Sequence, residues 1–166
     1  HANYKTKVQY VDTINGTDFD MADQCKFEAL LKDACEDKFI AVLSSPPCST
    51  FSRARGRGLG PRRVRGKSGA DQYGLADLKP HEKEAVRLGT LLACRAFQVS
   101  SVCNDKGIPW LLEYPAEQEH DTSIFKLDEW AAIGLRNGEF RNTVAQCQCG
   151  LDHVKLTDLR GSIELP

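Results

Sequence analysis

An α/β fold, with a mainly parallel sheet carrying helices on its faces, is what this sequence predicts. Three observations lead there. Short strand-like segments recur: a β-branched apolar run at Phe39–Leu43, a second apolar run at Ile108–Leu112, and a weaker alternation at Thr143–Cys147. Between them lie longer stretches whose apolar residues recur at helical spacing. Gly- and Pro-containing turns separate one kind from the other, so strands and helices alternate along the chain.

The elements follow in order. Lys7-Val8-Gln9-Tyr10-Val11 alternates like a short strand that closes on Asp12, and Asn15-Gly16-Thr17-Asp18 is turn chemistry. A helix opens near Asp20 or Asp23, where a carboxylate suits the positive end of the dipole. Cys25, Phe27, Leu30, Leu31, Ala34 and Cys35 fall on one of its faces. Lys38–Leu43 is the next strand. From Arg53 to Lys67, seven basic residues in 15 are interleaved with glycine and no periodicity survives. This predicts a mobile Arg/Gly loop over about residues 53–78. Pro80 starts a helix at its first turn, Val86 to Val102 carry it to about Asn104, and Gly107 stops it. Ile108–Glu113 is a strand. Ser123–Arg136 is a helix with Ile124, Leu127, Trp130, Ala131 and Leu135 facing inward. Phe140–Cys149 is a weaker strand, paired with a short one at Val154-Lys155-Leu156. That hairpin-like pair makes one end of the sheet mixed.

The 166 residues suit one domain with a real core, and there are no internal repeats. A net charge of -1 offers no global attraction to nucleic acid, so any such attraction must come from the local Arg53–Lys67 cluster. Seven cysteines form no disulfide framework. Without a signal peptide they read as reduced thiols in an intracellular compartment, cytoplasmic or nuclear. No apolar run approaches membrane-spanning length. The first residue is His1, which points to a tag remnant or a trimmed fragment.

Ser45-Pro46-Pro47-Cys48-Ser49-Thr50-Phe51-Ser52 is the most informative stretch. It directly follows a buried strand, at the carboxyl edge where open α/β sheets bind ligands. Two prolines stiffen the loop and remove two backbone donors. A thiol placed there is better suited to nucleophilic attack than to packing. Downstream, Ile108-Pro109-Trp110-Leu111-Leu112-Glu113-Tyr114-Pro115 is a second apolar run ending in a lone carboxylate.

Together these two segments resemble the DNA cytosine-5 methyltransferases, in which a Pro-Cys pair after a strand carries the nucleophilic thiol and a strand-end glutamate grips the target base. The resemblance spans about residues 8–160 and is strong at 44–55 and 108–115. It implies a three-layer, Rossmann-like methyltransferase sandwich, incomplete at its N-terminus, with Cys48 and Glu113 as catalytic residues. Tyr114 stands where the family has asparagine. The implied substrate is cytosine in DNA, flipped out of the duplex, and the implied methyl donor is S-adenosylmethionine. Pro46, Pro47, Ser52, Arg53, Arg55, Arg62, Arg63 and Arg65 would line the substrate side, with the arginines on phosphates. Asp12, Asp18, Asp20 and Pro46 would line the cofactor side. The family's glycine turn before the first acidic residue has no counterpart in this chain. A second chain or an oligomer would then complete the cofactor site. Gln146-Cys147-Gln148-Cys149 stands where family members carry Gln-x-Arg-x-Arg, and both arginines are missing.

Two other functions compete. A truncated or degenerate methyltransferase fold could bind nucleic acid or protein without catalysis. Ser-Pro-Pro before an aromatic is also the loop of methyltransferases acting on the exocyclic amino group of cytosine, where no thiol is needed. No metal site is predicted. Cys147, Cys149 and His153 offer only three ligands at an unusual spacing. Cys25, Cys35, Cys94 and Cys103 read as core thiols.

Overall fold

The structure, a computed structural model, describes residues 7–52, 55–56, 59–116, 122–133, 140–149 and 155–164. Four strands, β1 (Val42–Ser44), β2 (Trp110–Pro115), β3 (Phe140–Ala145) and β4 (Leu156–Gly161), form one sheet in the order β1-β2-β4-β3. β1 runs parallel to β2, with Ser44 level with Leu112. β4 lies antiparallel to both β2 and β3. The fold is therefore α/β, but one of its three pairings is parallel and two are antiparallel. The hairpin-like end supplies this difference: β4 inserts between β2 and β3 instead of adding at the margin. β4 also runs on to Gly161, well past the short segment read from sequence.

Helix α1 (Gln24–Cys35) is capped by Asp23, whose Oδ1 accepts the Lys26 N–H at 3.0 Å. Helix α2 (Pro80–Lys106) begins on proline and ends at Gly107 in the left-handed conformation, φ 70°. β2 alternates as its sequence predicts. Trp110, Leu112 and Tyr114 are buried, while Leu111 and Glu113 are half-buried on the opposite face. The buried side meets Ala93, Phe97 and Cys103 of α2, together with Phe27 of α1 and Phe51 of the Pro-Pro-Cys loop. Arg95 of α2 ties the two helices together. It donates to the Asp23 carbonyl at 3.1 Å and to Gln24 Oε1 at 2.6 Å, and its guanidinium lies 4.7 Å from the Phe27 ring centre.

Several sequence expectations are corrected. Residues 7–11 form no strand, and Val8 and Tyr10 are exposed. Five alternating residues offer one small apolar face, and among the described residues no neighbouring strand is placed to accept it. Cys25 and Cys35 are exposed on α1, whereas Phe27 and Ala34 carry its buried side. The helix predicted from Ser123 breaks at once. A 3-10 turn (Ile124–Lys126) gives way at Leu127, ψ 144°, to a four-residue helix α3 (Asp128–Ala131). Ser123 caps this turn, its Oγ accepting the Phe125 N–H at 3.2 Å, while Ile124, Phe125 and Leu127 all turn into the core. The Arg/Gly stretch is folded in part. Gly69–Tyr73 is a 3-10 helix, and Val64, Leu78 and Val86 make a second small core.

Candidate functional site

At one rim of the sheet lie the end of β2, which carries Glu113, and the loop after β1, which carries Cys48. β1 ends at Ser44 and runs directly into Ser45 and the Pro-Pro-Cys loop. Beside it, the end of β2 presents Glu113. The Ser45 hydroxyl donates to Glu113 Oε2, so the loop and the carboxylate are joined across 68 residues of sequence. Cys48 is half-buried and packs against the main core, with its carbonyl accepting the Phe51 N–H at 2.9 Å. Pro46 is buried and Pro47 is exposed. The loop therefore wraps the rim. Its first residue meets Glu113, and Cys48 lies on the side of Tyr114.

Three groups that sequence reading did not place in the site complete the Glu113 environment. Lys155 Nζ stands 3.6 Å from Glu113 Oε1. Gln146 Nε2 lies 3.5 Å from the same oxygen and donates to Thr157 Oγ1 at 2.9 Å. Gln146 and Lys155 come from the mouth of the β3–β4 pair, where the Gln146 N–H donates to the Lys155 carbonyl at 2.9 Å. The signal that could have found them is the pairing itself, since two paired strands must bring their flanking residues to one end. Tyr114 is the third. Its hydroxyl is buried and has no hydrogen-bond partner among the described residues. Burial pushes its ionisation far up, and the nearby Cys48 and Glu113 push the same way while Arg65 opposes them. One phenol thus senses the thiol, the carboxyl and a guanidinium.

The basic residues divide. Arg53 lies outside the described residues. Arg55 donates to the Ser49 carbonyl at 2.7 Å and to the Arg62 carbonyl at 3.2 Å, bracing the Cys48 loop. Arg62 forms a two-pronged pair with Asp77, both contacts at 3.1 Å, and reaches Glu82 at 3.2 Å. Arg63 is exposed and Ser52 is half-buried. Arg65 departs from its expected place on an open loop, being only 2 % exposed. It donates to Thr50 Oγ1 at 3.1 Å, to the Gln72 carbonyl at 2.7 Å and to the Val86 carbonyl at 2.8 Å, with its guanidinium 3.8 Å over the Phe51 ring. A phosphate outside the domain cannot reach most of that side chain. Gly89 of α2 makes this packing possible, because a Cβ there would come within 2.7 Å of Thr50 Oγ1 and 3.3 Å of the Arg65 guanidinium.

The expected cofactor side differs. Asp12 is exposed and its Oδ1 accepts the Ile14 N–H at 3.0 Å, which caps a 3-10 turn. Asp20 Oδ1 accepts the Ala22 N–H at 2.8 Å. Asp18 is exposed in the first turn of the next 3-10 segment. The strand that would present Asp12 is not formed. Asp12 and Asp20 are thus engaged with their own turns, and Asp18 lies on the surface between them. Cys147 is exposed, and His153 lies outside the described residues. Among the described residues no three His, Cys, Asp or Glu side chains cluster to hold a metal, and no helix is long and apolar enough to cross a membrane.

No family model, curated protein or solved structure matches this chain.

Proposed function

We propose that this chain is a methyltransferase-like domain of the DNA cytosine-5 type. In it Cys48 adds to C6 of a flipped cytosine, and Glu113 holds the N3 and 4-amino edge of the ring. The observation that carries this reading is the bond from Ser45 to Glu113, which couples the Cys48 loop to the end of β2 at the rim where α/β folds bind ligands. The chemistry is covalent catalysis. The thiolate sulfur bonds to C6, the C5–C6 π pair shifts to C4–C5, the C4–N3 π pair takes a proton at N3 from the Glu113 carboxyl, and C5 becomes a nucleophilic enamine carbon. A carboxyl at N3 and the amino group stabilises the charge that develops there. Ser45 is engaged with Glu113, which favours C5 chemistry over attack from the exocyclic amine.

The methyl donor implied is S-adenosylmethionine, which supplies an electrophilic methyl group. Its site would be completed outside this chain. β1 is an edge strand with Leu43 and Ile40 exposed beside it. Further parallel strands added on that edge, with their crossover helices on the second face, would make the sheet mainly parallel and give the three-layer, Rossmann-like arrangement. An intracellular setting belongs to the proposal, since the step needs a reduced thiol and the described cysteines at 25, 35, 48, 94, 103 and 147 are all free. DNA is the proposed partner.

A catalytically silent nucleic-acid- or protein-binding module is the second reading. It is favoured by Asp12 and Asp20, whose carboxylates are engaged with their own turns. An oligonucleotide carrying 5-azacytosine, whose C6 is more electrophilic than that of cytosine, separates the two without a methyl donor. The enzyme reading expects a denaturant-resistant adduct with the wild-type chain and none with Cys48→Ser. Absence of any adduct in the wild type would leave the silent module.

A further inference from the structure

The Pro-Pro-Cys loop is tied at both ends to two consecutive residues of β2. Ser45 donates to Glu113 Oε2, and the Phe51 ring stands edge-on to the Tyr114 ring, centres 6.0 Å apart. Cys48 lies midway, three residues from each tie. The place of its sulfur relative to the end of β2 is therefore set by those two contacts.

The Ser45 tie is a single hydrogen bond at the surface. The Phe51 tie is built more heavily. Each of the three residues after Cys48 is held by a side chain from elsewhere. Arg55 donates to the Ser49 carbonyl at 2.7 Å, Arg65 to Thr50 Oγ1 at 3.1 Å, and the Thr122 hydroxyl to the Phe51 carbonyl at 3.0 Å. Arg65 does more than the other two. Its remaining nitrogens donate to the Gln72 carbonyl at 2.7 Å and the Val86 carbonyl at 2.8 Å, and its guanidinium lies 3.8 Å over the Phe51 ring. One buried side chain thus joins the loop to the Gly69–Tyr73 turn and to α2.

Only a planar fork with a flat face makes these contacts together; lysine has a single nitrogen at the end of its stem. Burying a charge costs more than burying an aliphatic chain, so filling space does not account for an arginine here. The acceptors it joins do account for it. Gly89 belongs to the same device, because a Cβ there would crowd both Thr50 and Arg65.

We propose that Arg65 is a positioning residue for Cys48, which acts through Thr50 and Phe51 to hold the loop against Tyr114 and so fix where the sulfur sits at the end of β2. Use of that sulfur as a nucleophile rests on the function proposed above; the positioning does not.

The test is alkylation of the intact chain by iodoacetamide, followed cysteine by cysteine by peptide mass spectrometry, at a temperature where each variant is folded. Buried Cys103 reports opening of the whole domain, and exposed Cys25 reports the reagent. Arg65→Met should raise the Cys48 rate by about fivefold or more while Cys103 stays as protected as in the wild type. Arg65→Lys should behave like Arg65→Met, since charge alone cannot meet three acceptors. An unchanged Cys48 rate in either variant would overturn the proposal. So would Cys48 and Cys103 rising together, which would make Arg65 a support of the whole domain. If Arg65→Met fails to fold, Phe51→Leu decides: it keeps an apolar side chain but removes the ring that meets both Arg65 and Tyr114. A rise of about threefold at Cys48 alone supports the positioning role, and no rise overturns it.

A second arm separates this inference from the function. The 5-azacytosine adduct should form about tenfold or more slowly in Arg65→Met, per folded molecule, with the half-saturating oligonucleotide concentration unchanged. Adduct formation would then fall as alkylation rises, a pair of opposite changes that simple destabilisation does not give. An adduct rate equal to wild type would overturn the positioning role. No adduct in the wild type would remove the function proposed above and leave the positioning role to the alkylation result.

Discussion

The carboxyl rim of the sheet and the acidic segment around residues 12–20 are both carboxylate-bearing ends of the molecule, and they are built on opposite principles. At the rim, Glu113 meets Ser45, Gln146 and Lys155, which come from three separate stretches of chain. In the acidic segment, Asp12 and Asp20 accept N–H groups only two residues away. Convergence of distant residues on one group requires the whole fold and serves no local need. A carboxylate closing its own turn meets a local need and is explained by it. The difference teaches where to look for chemistry: at Glu113 and Cys48 before the aspartates.

The comparison can be broken most sharply at Cys48. Cys48→Ser should abolish the 5-azacytosine adduct, a loss of about 100-fold or more in rate, with Tm nearly unchanged because the side chain is only half-buried. An adduct that survives would place the nucleophile elsewhere. Glu113→Gln should slow adduct formation by about 10- to 100-fold, as an amide cannot hand a proton to N3 while charge builds there. A rate equal to wild type would reduce Glu113 to a partner of Ser45. Lys155→Met tests the surrounding shell and should change the rate by about threefold or less, because the pair is half-exposed and screened by salt. Asp12→Ala and Asp20→Ala sharpen the contrast from the other side. Each should lower Tm by about 2–4 °C through loss of a turn cap and leave adduct formation alone.

The smallest effect expected is on pH. Burial pushes the Cys94 and Cys103 thiols up from 9.0 to about 11. The folded state therefore holds these protons more tightly than the unfolded chain does. Their contribution to stability is complete below pH 9 and is lost as pH rises toward 11. A Tm profile across that range should slope downward, and Cys103→Ala should flatten part of the slope.

Much of the rim was legible in the sequence because its parts have short-range causes. Pro-Pro before Cys48, the alternation of Trp110 to Pro115, Pro80 at a helix start and Gly107 at its end are local rules, and each element forms where those rules place it. What stayed hidden depends on neighbours distant in sequence. Arg65 lies in a run whose composition resembles a solvated loop, yet Gly89, 24 residues on, leaves the space into which it and Thr50 pack. Val8 to Val11 alternate as a strand does, but alternation is a half-signal that only a partner strand completes. The inserted position of β4 could not be read from pattern either, since both of its neighbours run antiparallel to it and either would satisfy its edge.

The two tryptophans have a practical consequence. Trp110 sits in β2 under α2, and Trp130 packs edge-on against Phe125 and Phe97, with ring centres 4.9 and 5.3 Å away. Both indoles are shielded from solvent, so the intrinsic emission of this protein gauges how tightly its interior holds together. A red shift on adding an oligonucleotide would signal loosening of the interior, and optical detection of ligand uptake calls for a fluorophore attached to the nucleic acid.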